Sequence, residues 1–300
     1  MLHTIKSNSY LAVIDLTSGA NCIKLESLKY GVNILRERGE SLPDNPYLYG
    51  MPLLFPVNRI NGGKFTFEGR KYSFGINEPA TGCHLHGHVH DHPFTLTEKS
   101  DSHLCAELSV SSGDLYPNFP NGFKIKVCYA LDDSGLSLTV SITNLSDTNM
   151  PIMLGHHTTF STELADGDPY VCAEVDTYYE RDSRYLPVAA HTEYDDTTLA
   201  LRGGTLTIDG STLSRHYRAS GSTMSLISKK RGLKIVYESD PIYKFRLIYS
   251  DSKDYICLEP QTCLVNAPNE NIPYGESGFH YIAPQETKDY TSKIYLTEVN

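Results

Sequence analysis

The sequence has almost nothing with the period of an α-helix. In 300 residues no stretch longer than a turn or two repeats its apolar residues at helical spacing, which excludes helical bundles and doubly wound α/β folds. No apolar run approaches the roughly 20 residues that carry a helix across a bilayer, so no membrane role is expected. Positive charge is scarce: 26 Lys and Arg face 36 Asp and Glu, a formal charge of -10. Binding phosphate backbones needs a clustered basic face. The compact basic run Lys229-Lys230-Arg231 lies before Gly232 between two strand-like segments and reads as a solvated hairpin turn, so nucleic acid is not an expected partner. The seven cysteines contain no CxxC pair. Several sit inside apolar alternation, as Cys128 does in KIKVCYAL, and read as free core thiols of a reducing compartment. The opening MLHTIKSNSY lacks the basic-then-apolar layout of a secretory signal, so a cytoplasmic location is expected. With no low-complexity linker, composition break or repeat, residues 1–300 are read as one domain.

What the chain does have is period two. LSLTVSITN (136–144), KFTFEG (64–69) and KIKVCYA (124–130) alternate cleanly. Glu68-Gly69 and Asp132-Asp133-Ser134-Gly135 punctuate such segments as hairpin turns. Further strands are expected at 10–16, 103–110, 223–228, 233–238, 245–250 and 293–299. Many short strands separated by Gly, Pro, Asp and Asn indicate an all-β fold, a large antiparallel β-sandwich.

Four segments can carry chemistry. In YICLEPQT, Glu259 ends the apolar run Ile256-Cys257-Leu258 immediately before Pro260, which reads as a buried strand leaving the core. A carboxylate there has its pKa raised by burial, which suits a general base near neutral pH, although a glutamate at the rim of a loop fits the same residues. Residues 83–92 read CHLHGHVHDH. On one extended strand its five histidines would share a face and offer HxH metal-ligand spacing. Alternatively Gly87 breaks the strand, and one or two of them have separate roles. In LGHHTTF, His156 and His157 must point to opposite faces, so one of them can serve as a proton donor. In PLLFPVNRINGG, Arg59 follows an apolar run and offers a fork of donors to hydroxyls or to a structural acid.

Together these segments resemble the aldose 1-epimerases (galactose mutarotases). The matching pieces are Asn58-Arg59-Ile60 with the GGKF that follows, Asn77 with His84-Leu85-His86-Gly87, His156-His157-Thr158-Thr159-Phe160, the ICLEPQT segment, and Pro273-Tyr274-Gly275-Glu276. They run in family order from residue 58 to 276. The resemblance implies a supersandwich β fold, no cofactor, no metal, and a small sugar as the partner. It makes Glu259 the general base on the anomeric hydroxyl and His157 the general acid on the ring oxygen. Arg59 and His86 hold the sugar. A hexose-phosphate 1-epimerase, which needs extra Arg or Lys around the pocket, and a non-catalytic sugar-binding protein are the alternatives. One departure bears on sugar choice. Where many family members carry a sugar-binding aspartate, TLSRHYR (212–218) has Ser214 and Arg215 before His216 and no acid, leaving Asp195, Asp196 or Asp209 to compensate.

Overall fold

The computed structural model describes residues 1–39, 45–165 and 169–299. It is built mostly of antiparallel strands, and the alternation places many of them closely. His103–Val110 and Phe245–Ser250 have the expected bounds; Phe123–Asp132 and Gly135–Asn144 form a ten-rung hairpin about the expected turn. Lys64–Phe67 and Arg70–Ser73 pair around Glu68-Gly69, and the Lys229–Gly232 segment joins two paired strands. A four-stranded N-terminal sheet and one extended sheet of fifteen strands dominate. The main buried apolar cluster includes residues from Ile5 to Leu296, with a small second one of Cys83, Leu186 and Val265. Helix is limited to short segments, the longest being α1, Asp196–Arg202.

Four strands of the large sheet position the site: β1 (Pro169–Arg181), β2 (Leu213–Ser228), β3 (Phe245–Ser250) and β4 (Tyr255–Gln261). β1 is not among the expected strands, although Val171, Ala173 and Val175 alternate inward with the less buried Cys172 and Glu174 between them. The register pairs Tyr179 with His216, His216 with Leu247, and Leu247 with Glu259. Residues opposite one another on antiparallel strands share a face, so these four form one row. Every residue of β4 is buried, and the strand runs on through Pro260 to Gln261 rather than leaving the core at the proline.

Two expectations are corrected. Cys105 and Cys128 lie directly opposite on paired strands and form a disulfide, so not all cysteines are free thiols; Cys22, Cys83, Cys172, Cys257 and Cys263 are. The histidine segment is not one strand. Its extended part ends at Leu85, His86 and Gly87 turn through left-handed backbone at φ 60° and 67°, and a 3₁₀ turn covers Val89–Asp91. The left-handed pair destroys the period of two, so the five side chains diverge.

Candidate active site

β4 places Cys257, Glu259 and Gln261 on one face at period two. The neighbouring segment brings His157 to the same place, with its backbone N–H donating to the Pro52 carbonyl at 3.0 Å. Glu259 Oε1 lies 3.2 Å from His157 Nε2. Gln261 Nε2 donates to Glu259 Oε2 at 3.1 Å, and Asn58 Nδ2 donates to Gln261 Oε1 at 3.3 Å. Glu259 is thus oriented by a carboxamide chain reaching back to Asn58.

Asn58 also sets the tautomer of His86. Its backbone N–H donates to His86 Nδ1 at 3.3 Å, while the His86 N–H donates to the Asn58 carbonyl at 3.0 Å. An imidazole accepting at Nδ1 while neutral carries its proton on Nε2. His86 is therefore a hydrogen-bond donor, its ring 5.3 Å from that of His157. Asn77 fixes the segment from outside: its Nδ2 donates to the Leu85 carbonyl at 2.8 Å and its Oδ1 accepts from the Leu85 N–H at 2.6 Å. His156 points away, within 3.3 Å of the Tyr243 hydroxyl.

Arg59 stands beside this group. Its Nε and Nη2 donate to Glu78 at 2.7 and 2.6 Å, and its guanidinium lies 4.3 Å over the Tyr185 ring. A structural acid therefore occupies the Nε–Nη2 edge of the fork. Tyr47 covers the site, its ring 4.7 Å from His86, 4.8 Å from His90 and 5.9 Å from His157. Neither Glu259 Oε1 nor His157 Nδ1 reaches solvent or makes an aligned hydrogen bond. A ligand reaching Glu259 therefore has to displace this cover.

Burial dominates the titration. It pushes Glu259 up to about 8, opposed by the Gln261 hydrogen bond and by the positive charges of Arg181 and Arg59. It pushes His157 down to about 3, and His86 well below its ordinary value with His157 and Arg59 adding to the effect. Each member of the Glu259–His157 pair is driven toward neutrality, so over the range between these values the pair holds one proton.

The metal reading of the histidine segment loses its geometry. His84 stacks on Phe74 with Nδ1 3.0 Å from the Gly75 carbonyl, and His92 Nδ1 lies 3.0 Å from Asp91. Among the described residues no three of the five histidines converge as ligands. The groupings of potential ligand atoms within 4.8 Å are His103–Cys105–Cys128, whose cysteines are disulfide-bonded, and His157–Cys257–Glu259. In the latter, burial holds the Cys257 thiol well above its ordinary pKa, so a metal would first have to remove its proton.

Residues 1–292 match the family model for aldose 1-epimerase. The chain belongs to the aldose 1-epimerase family. The LacX protein of Lactococcus lactis subsp. lactis is 24% identical, covering 96% of this chain and 97% of that protein. Galactose mutarotase of Sus scrofa is 28% identical over 55% of this chain and 48% of its own length. A galactose mutarotase-like protein from Clostridium acetobutylicum superposes with a TM-score of 0.91 at 26% identity, covering 99% of this chain and 95% of that one. A putative aldose 1-epimerase from Escherichia coli K12 shares the fold, with a TM-score of 0.85 at 18% identity, covering 100% and 99%.

Relative to other aldose 1-epimerases that carry the aspartate, the 212–218 segment brings a correction. Asp195 caps α1 by accepting from Thr198 and pairs with Arg215 at 2.8 Å. Arg215 is adjacent to Ser214 and His216 and so faces the opposite side of β2. Asp195 therefore lies behind the sheet, and Asp209 is occupied by Ser211 at 2.8 Å. What the structure brings to the Glu259 face of the sheet is Arg181, whose Nη2 donates to the Ser214 carbonyl at 2.9 Å and hydroxyl at 2.8 Å. Gln261 was findable from its spacing of two after Glu259. Arg181 and Tyr47 had no local signal.

Proposed function

We propose that this protein interconverts the α and β anomers of a free aldose by opening and reclosing the pyranose ring. The observation that carries this reading is the 3.2 Å approach of Glu259 Oε1 to His157 Nε2, with a donor on His86 beside it. The one proton that the pair shares passes from Glu259 to His157, so that the Glu259 carboxylate takes the proton from O1 as the His157 imidazolium delivers one to O5. The C1–O5 bond breaks, the aldehyde rotates about C1–C2, and the ring closes on its other face. His86 Nε2–H and Arg59 Nη1 hold the hydroxyls. Each positioned acid or base supplies roughly 10²–10⁴-fold. Polarimetry of fresh α-D-galactose and α-D-glucose with and without the protein tests this directly. Unchanged relaxation of both, with sugar binding retained, would support the non-catalytic alternative.

Residues 1–300 act in this reading as one domain. We place it in the cytoplasm, on the five cysteines that remain free thiols.

The pair also fixes a pH dependence. Turnover needs one proton shared between Glu259 and His157, and the pair loses it as pH rises through the raised glutamate value of about 8. The kcat/KM profile should be flat on the acid side of neutrality and fall with an apparent ionisation near pH 8, a value that belongs to the pair. Activity rising through pH 8–9 would contradict the shared proton.

No step above routes through a metal. Exhaustive chelation should leave the rate within about twofold of untreated protein, each proton transfer having a side-chain partner. Loss on chelation with recovery on adding Zn²⁺ would move the chemistry to His157–Cys257–Glu259.

A further inference from the structure

The sugar side of the sheet contains a cation without an acid. Arg59, Arg215 and Arg218 each pair with a carboxylate, of Glu78, Asp195 and Asp176 respectively. Arg181 has none among the described residues within 4.0 Å. Its Nη2 is fixed by the Ser214 hydroxyl and carbonyl, both uncharged, and among the described residues Nε and Nη1 make no hydrogen bond. Beneath it on β2, His216 is wholly buried, near enough to feel the Arg181 charge and the Gln261 side chain.

The remaining groups facing this space cannot neutralise Arg181. Arg59 is offset by Glu78, and burial drives His86, His157 and His216 toward their neutral forms. Glu259 is near enough to feel the Arg181 charge but makes no ion pair with it; its Oε2 accepts from Gln261 and its Oε1 faces His157. In the register, Ser214 stands in the row of Tyr249 and Cys257, two strands and two residues from Glu259, about 12 Å at the ~4.8 Å strand spacing and ~3.4 Å rise. A pyranose with O1 at Glu259 can extend its far end over that gap. A guanidinium is a donor-only group whose planar fork fits an oxyanion better than a neutral hydroxyl.

We propose that the sugar handled here carries an oxyanion remote from C1, held by Arg181 together with the Ser214 hydroxyl. This deepens the ring-opening reading and rests on it. The oxyanion is a carboxylate, as in a hexuronate, or a phosphate ester; the two share the recognition chemistry, and the assay separates them.

The test is NMR magnetisation exchange between anomers of D-glucose, D-glucuronate and D-glucose 6-phosphate at low salt. At least one anionic sugar should exceed glucose in kcat/KM by about tenfold to a hundredfold, the range of one charge-assisted contact, and salt should erode the preference. Which anion gains identifies the group. Arg181→Gln should reduce the anionic-to-neutral ratio by the same factor, and Arg181→Lys should recover part of it. If Arg181→Gln does not fold, the wild-type ratio and that of Arg181→Lys still decide. Glucose equal to or better than both anions would overturn the inference while leaving ring opening intact. An equal loss on all three sugars in Arg181→Gln, with the alkaline limb of the pH profile displaced, would make Arg181 a counter-charge for Glu259 and also overturn it. Acceleration of no sugar at all would remove the ring-opening reading and this inference together.

Discussion

Glu259→Gln should slow anomer interconversion by at least about a hundredfold, and His157→Asn should do the same, the scale of losing one positioned acid or base. The glutamine keeps the shape of the side chain and a hydrogen-bonding group toward Gln261, but it cannot take a proton from O1. The asparagine keeps a polar group beside Glu259 and cannot carry a proton to O5. Because the two residues act as one proton-sharing unit, the double variant should be little worse than either single one. Neither loss should come from unfolding, and the buried carboxyl supplies an independent check. The folded protein keeps Glu259 protonated up to about 8, whereas an unfolded chain releases that proton near the ordinary 4.5. The stability cost of burying Glu259 is therefore absent below about 4.5 and grows as pH rises toward 8. Glu259→Gln carries no such cost. It should melt no lower than wild type at pH 8, with its relative advantage vanishing in acid. A variant that turns over at near-normal rate would end the proposed mechanism. One that melts well below wild type at pH 8 would mean that the carboxyl is ionised and paired in the fold.

The readable parts of the sequence were those governed by local periodicity. Alternation located seven of the large sheet's fifteen strands, mostly its longer ones, because half of each strand's side chains enter the core, as in Phe123–Asp132. Adjacent His156 and His157 had to diverge for the same reason, and they do, one toward Tyr243 and the other toward Glu259. What stayed hidden depends on contacts between distant segments. Arg181 meets Ser214 only because β1 and β2 pair, and Tyr47 meets three histidines from a loop with no periodic signal. The histidine segment misled for a different reason. Its period of two is real in the sequence, but two consecutive left-handed residues cancel it in the chain. The Cys105–Cys128 disulfide requires the register of two neighbouring strands, which composition does not contain.

That left-handed turn makes Gly87→Ala the substitution with the largest expected effect on the fold. Gly87 has φ 67°, and a Cβ there would stand 1.9 Å from the Phe55 carbonyl oxygen and 2.7 Å from the Tyr116 hydroxyl. The carbonyl is backbone and already accepts from the Tyr116 hydroxyl, which in turn accepts from the His88 N–H at 3.2 Å. Relief therefore requires moving the bridge between Phe55 and Gly87 or expelling a buried tyrosine. The left-handed conformation alone costs a non-glycine residue about 1–2 kcal/mol, and the backbone collision adds to it. A loss of at least about 3 kcal/mol is expected, a drop of several degrees in Tm. The same movement displaces His86, one residue away, whose Nδ1 is held by the Asn58 N–H. Whatever folded protein remains should therefore show weakened sugar binding as well, with KM raised more than kcat is lowered, because in the proposed mechanism His86 holds the sugar and carries no proton. Gly69→Ala is the matched control: it has φ 76° but nothing within 4 Å of the added methyl, so it should show the conformational cost alone. Equal melting temperatures for the two alanine variants would mean that the Phe55 contact yields freely, and that this turn does not hold His86 in place.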